Sequence, residues 1–182
     1  KEAESAAIAA LVGGGSASDA LAEGAARFRA LPLTELQESA LVRNADTGLY
    51  EKTAPAKLGH VEGFVSHSWQ DPGPTKYEQL VAWGDEARRG GVAEPRVWLD
   101  KACIKQDQTD EEKQADITSL PVFLSGCRSL VVLAGPTYAS RLWCAAVCPR
   151  SPKVRPPHTH RPPCHPRASS SSSYFFGWAA SR

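Results

Sequence analysis

Gly63-Phe64-Val65 running into Ser66-His67-Ser68-Trp69-Gln70-Asp71 is the stretch that decides the fold. A short apolar run ends abruptly in a polar cluster. Two further segments repeat the pattern. Arg96-Val97-Trp98-Leu99 leads into Asp100-Lys101-Ala102-Cys103, and Leu130-Val131-Val132-Leu133 leads into Ala134-Gly135-Pro136-Thr137-Tyr138. Helical stretches separate the three, so they read as strands of a parallel sheet joined by crossover helices. In such a sheet the polar C-terminal ends gather along one edge, where α/β folds place ligand sites.

Working outward, residues 61–66 and 96–100 are expected as strands, and the continuous apolar run 130–133 as a central parallel strand. A helix opening at Thr75 or Lys76 carries Tyr77, Leu80, Val81 and Gly84 and ends near Gly90-Gly91. The next helix carries Ile117, Leu120, Leu124 and Cys127 at three- and four-residue spacing, with Pro121 expected to kink or restart it. A third begins over residues 138–146. Towards the N-terminus, Gly13-Gly14-Gly15 breaks an Ala-rich stretch. Ser18 is an N-cap candidate for a helix bearing Leu21, Ala25 and Phe28, which Pro32 ends. Thr34 would cap a short helix through Leu36 and Ala40, and residues 44–58 read as an irregular connection.

The bulk composition sets limits. The chain has 182 residues, 42% hydrophobic and 23% charged, which suits one globular domain with appendages. The net charge of +1 hides an asymmetry: residues 149–182 carry six Lys or Arg and no acid, and removing that +6 leaves about −5 on the rest. A mildly acidic body argues against nucleic-acid binding. No apolar run reaches the roughly 20 residues of a membrane span. The five cysteines form no disulfide-like framework, and Cys103 and Cys127 read as reduced thiols, so the expected compartment is the cytoplasm. Residues 149–166 hold seven of the fourteen prolines and 169–173 are all Ser, a composition expected to be disordered. His158, His160, Cys164 and His165 have metal-binding residue types but no standard zinc spacing.

At the expected rim, Ser66, His67 and Asp100 raise the question of nucleophilic catalysis. Adjacent Ser66 and His67 on a strand point to opposite faces, which does not make a nucleophile–base pair. Cys103 beside Lys101 reads as a buried structural thiol, with a reactive thiol at the rim as the alternative. Trp69 can stack on a ligand or pack under its loop. Trp83 and Trp98 read as core.

The three boxes together resemble Toll/interleukin-1 receptor (TIR) domains. Residues 64–71 are similar to the first box, 97–104 to the second strand and the loop after it, and 131–144 to the third strand with its Trp143-Cys144 helix entry. The wording is nearest to TIR-like proteins of algae and other protists and covers about residues 58–146. The resemblance implies a flavodoxin-like parallel sheet of order 2-1-3-4-5. It implies signalling by self-association or by contact with other TIR-like domains, or else cleavage of NAD+ at the nicotinamide–ribose bond. It further implies a nucleotide pocket lined by Ser66, His67, Trp69, Asp71, Asp100, Lys101, Cys103 and Trp143, with NAD+ as substrate or ligand and no metal or resident cofactor.

The family's catalytic glutamate position falls on Val147. An isopropyl group can neither accept a hydrogen bond nor balance an oxocarbenium-like charge, so catalysis is not expected. The two later strands of the family fold are not visible, and the chain has no Met. These features predict a domain cut short by truncation, a retained intron or a frameshift. The expected organisation is a helical segment over 1–57, a partial TIR-like α/β domain over 58–148 and a disordered tail over 149–182.

Overall fold

A computed structural model of the chain describes residues 2–42 and 47–138. Residues 139–146 of the expected third helix, with Trp143, Val147 and the Pro/Arg/Ser-rich segment, lie outside the described residues.

The centre of the fold is β3 (Val61–His67), whose seven residues are buried except for half-buried Glu62. It pairs in parallel with β4 (Arg96–Leu99), Phe64 opposite Trp98, and with β5 (Cys127–Leu133), from Val61 opposite Cys127 to His67 opposite Leu133. The apolar runs named above therefore form three adjacent parallel strands. The sheet does not stop there. β1 (Arg29–Pro32) adds antiparallel to β4, Leu31 opposite Val97, and β2 (Ala54–Pro55) adds antiparallel to β1. The order is β2-β1-β4-β3-β5, a mixed five-stranded sheet. The expectation of a wholly parallel sheet is corrected by this antiparallel wing. β3 takes the central place expected for 130–133, and among the described residues β5 has β3 as its one strand neighbour.

The helices lie on both faces of the sheet. Gly63 and Phe64 are consecutive on β3 and face opposite ways. A Cβ on Gly63 would meet Trp83 at 3.0 Å and Val131 at 2.8 Å, which places α4 (Gly73–Arg89) on that face. Trp83 can come this close to the strand because residue 63 has no side chain. On the other face Phe64 stacks on Trp98 at 4.5 Å and 5°, and Trp98 meets Phe123 of α6 (Asp110–Ser125) at 5.4 Å. Phe28 extends the stack to Phe123 at 5.9 Å. Aromatic pairs of this kind add to the area they bury.

Two N-terminal helices, α1 (Glu2–Gly13) and α2 (Ala17–Arg27), pack with α6. The approach is close: a Cβ on Gly24 would lie 2.8 Å from Val122. Ser16 caps α2 by accepting from the Asp19 amide at 3.1 Å, so Ser18 falls inside the helix. Phe28 closes α2, and residues 29–32 leave it as strand β1 rather than extending the helix to Pro32. Residues 33–42 form a 3-10 turn (Leu33–Glu35) and α3 (Glu38–Val42) instead of one helix capped by Thr34. The supposedly irregular stretch before Leu58 contains a second 3-10 turn and β2.

α6 starts on a full capping box, with Thr109 Oγ1 accepting from the Glu112 amide and the Glu112 carboxylate accepting from the Thr109 amide. It continues through Pro121 without a restart, and it stops at Ser125, so Cys127 opens β5 rather than extending the helical face. Ile117, expected on the buried face, is 52% exposed. α5 is one turn, Asp100–Cys103, so Asp100 begins a helix rather than ending a strand.

Trp98 bridges Phe64 and Phe123 and is only 1% exposed. Trp98→Ala is expected to destabilise the fold by about 3–5 kcal/mol, as large aromatic truncations in packed cores do. Urea unfolding followed by intrinsic fluorescence measures this, and a loss under about 1 kcal/mol would contradict the assigned core.

Candidate functional site at the strand ends

Each of the three parallel strands ends in side chains that cannot be buried without partners. The end of β3 sorts its residues alternately. Ser66 and Ser68 turn to the segment after β5, and His67 and Trp69 turn to the start of α5. Ser66 Oγ lies 2.9 Å from Tyr138 Oη and Ser68 Oγ 2.7 Å from Thr137 Oγ1. His67 Nε2 lies 2.8 Å from Asp100 Oδ1, and Trp69 Nε1 donates to Asp100 Oδ2 at 2.8 Å.

Asp100 is the first hub. Besides His67 and Trp69 it accepts from the Lys101 amide at 2.7 Å. The His67 side chain is 3% exposed and that of Asp100 31%. Burial alone would raise the Asp100 pKa. Against it act the His67 hydrogen bond and charge, the Trp69 indole and the Lys101 amide, and together they hold this carboxyl below its ordinary value. Lys101 Nζ sits 5.5 Å over the Trp69 ring, a cation–π contact on the same cluster.

Asp71 is the second hub. Its Oδ1 accepts from the Thr137 amide at 2.8 Å and from Thr137 Oγ1 at 2.9 Å. The Thr137 hydroxyl has one proton, which goes to Asp71, so Ser68 is the donor in the Ser68–Thr137 bond. Gly135 passes directly over this carboxylate: a Cβ there would lie 2.3 Å from Asp71 Cγ. Lys76, in the second turn of α4, is buried and donates to the Ser68 carbonyl at 3.2 Å. Burial lowers its pKa, the Asp71 charge raises it, Lys101 lowers it further and Asp100 raises it.

Seven of the eight residues expected in the pocket are described, and they share this edge, Trp143 lying outside. The clusters divide them. His67, Trp69, Asp100 and Lys101 form one group, and Ser66 and Asp71, with Ser68 beside them, join the segment after β5. Ser66 pairs with Tyr138 and His67 with Asp100, so the two adjacent side chains diverge. Cys103 belongs to neither group. It is 6% exposed, its Sγ lies 4.0 Å from the Val97 carbonyl, and burial pushes the thiol up to about 12. Burial and the raised thiol favour the packing role over the reactive alternative. The residue that sequence reasoning passed over is Lys76, read as a helix opener because lysine is so seldom buried. Gly135 also escaped notice, since a missing side chain leaves no chemical signal.

No family model matches the chain, and neither a curated protein nor a solved structure matches it.

Replacing Asp100 by Asn sets an N–H group against the Trp69 N–H. Asp100→Asn should therefore cost about 1.5–3 kcal/mol near neutral pH, the range for hydrogen bonds to charged groups. Because the folded-state value lies below the ordinary 3.8, the carboxylate's contribution is complete above 3.8. It fades as the pH falls through the lower folded value. The stability gap between the native chain and the variant should narrow from about pH 4 downwards, as read by urea midpoints. A gap independent of pH there would contradict the assignment.

Proposed function

We propose that the chain is a TIR-like signalling module that acts by self-association or by contact with other TIR-like domains, without catalysis of its own. The observation that supports this most is positional. The three boxes that resemble the family fall, in order, at the C-terminal ends of three adjacent parallel strands, β3, β4 and β5. Such a placement follows from the motif spacing and is the one a flavodoxin-like strand order 2-1-3 requires.

The state of the edge supports an interaction role. Many of its polar side chains pair with one another: Asp100 with His67 and Trp69, Asp71 through Oδ1 with Thr137, Ser66 with Tyr138. A catalytic group must be held within reach of substrate and have capacity left for it. The segment after α5 offers exposed Lys105, Gln106 and Asp107 as contact surface. In NAD+-cleaving relatives of the resembled family a carboxylate stabilises charge at the ribose, and here the matching position in the sequence is Val147.

The competing function, NAD+ hydrolysis, is tested by nicotinamide release from the purified chain, with Val147→Glu as companion. The expected result is release indistinguishable from buffer for the native sequence. Sustained turnover by the unmodified chain would overturn the non-catalytic reading.

A further inference from the structure

A cavity of about 220 Å³ opens between the start of α4 and the segment after β5. Pro72, Thr75, Lys76 and Gln79 line it from one side, and residues 133–136 from the other. Its place is set by topology. From β3 the chain crosses through α4 to β4 on one side. From β4 it crosses through α6 to β5 on the other. The ends of β3 and β5 are therefore a switch point, where open α/β sheets leave a crevice for ligands. Thr75, Ala134 and Pro136 are exposed, so the mouth of the crevice meets solvent.

The charged side chains nearby do not present their charges to this space. Asp71 bonds Thr137 through Oδ1, and its Oδ2 is shut beneath Gly135. The Lys76 ammonium is buried and donates to the Ser68 carbonyl, so the stem of that side chain borders the cavity and the head does not. What remains is a wall almost wholly of carbon: the Pro72 and Pro136 rings, the Leu133 and Ala134 methyls and the aliphatic parts of Thr75 and Lys76. Water held there finds too few hydrogen-bond partners, and an apolar group that displaces it gains.

Size and shape narrow the occupant. An apolar cavity of about 150 Å³ takes up benzene, and pockets for drug-sized ligands begin at roughly 300 Å³. A volume between the two suits one substituted ring or two fused ones. A charged molecule would surrender hydration to a wall without counter-charge, and a sugar would leave its hydroxyls unpaired. A flexible alkyl chain would lose internal rotation on entry, whereas a planar ring has none to lose. The two prolines stand on opposite sides and offer C–H groups to the electron-rich faces of such a ring.

We propose that this crevice binds a small uncharged aromatic molecule, one substituted ring or two fused rings, held by apolar contact between the start of α4 and residues 133–136. The site is built entirely from described residues and does not rest on the signalling reading.

The test is a titration of the isotope-labelled full chain with indole and with toluene, followed by methyl chemical shifts, with benzoate, benzylamine and myo-inositol as comparisons. A ring seated here should shift the methyls of Thr75, Leu133 and Ala134 saturably through its ring current. It should leave those of Val61, at the far end of β3, in place. Ala134→Phe and Thr75→Phe fill the crevice from opposite walls at exposed positions, and each should weaken binding roughly tenfold or more. The proposal is overturned if neither neutral ring gives saturable shifts at these methyls, if both folded variants bind as the native chain does, or if a charged ring or inositol moves the same methyls as strongly.

Discussion

The edge of this sheet depends on one carboxylate. Asp100 stands where β4 gives way to α5, and its two oxygens take the imidazole of His67, the indole of Trp69 and the amide of Lys101. This half-buried charge is tolerable because those donors replace the part of its hydration that it gives up. The partners come from the neighbouring strand, so the bond set also fixes how far β3 and β4 extend before they diverge. Remove the carboxylate, and the buried His67 ring and the half-buried Trp69 indole just beyond β3 lose this partner together.

A second tie completes the edge on the other side. Asp71, Ser68 and Thr137 close the ends of β3 and β5, and Ser66 with Tyr138 adds a parallel link. Alternation along β3 drives this division, one residue to the left-hand neighbour and the next to the right. The Asp100 side uses its acceptors fully. The Asp71 side does not: Oδ2 is buried beneath Gly135 without a hydrogen-bond partner.

Much of this was legible in the sequence, for physical reasons that also explain the misses. β3, β4 and part of β5 announce themselves because buried parallel strands must be apolar throughout. Cys127-Arg128-Ser129 extends β5 without that signature, since only Cys127 of the three is buried and the strand is held there by pairing to β3. β1 was hidden: Arg29-Ala30-Leu31-Pro32 reads as the tail of a helix, and only the long-range pairing with β4 makes it a strand. Its Pro is tolerated at the terminus of a short strand. Ile117 fits a helical stripe but faces solvent, because α1 and α2 cover a different side of α6 than the sheet alone would require. At the site, Ser66, His67, Trp69, Asp71 and Asp100 were found because polar residues after apolar runs stand out. Their division into two hubs could not be read, since it depends on which neighbouring strand each side chain meets. Lys76 was missed because burial of an ammonium is decided by tertiary packing and leaves no local pattern.

Self-association is the central claim, and sedimentation velocity over a wide range of concentration tests it most directly, with Lys105→Glu, on the exposed segment after α5, run beside the native chain. The account predicts a weight-average mass that climbs with concentration for the native chain and climbs less for the variant. A single monomeric species at every concentration would contradict it.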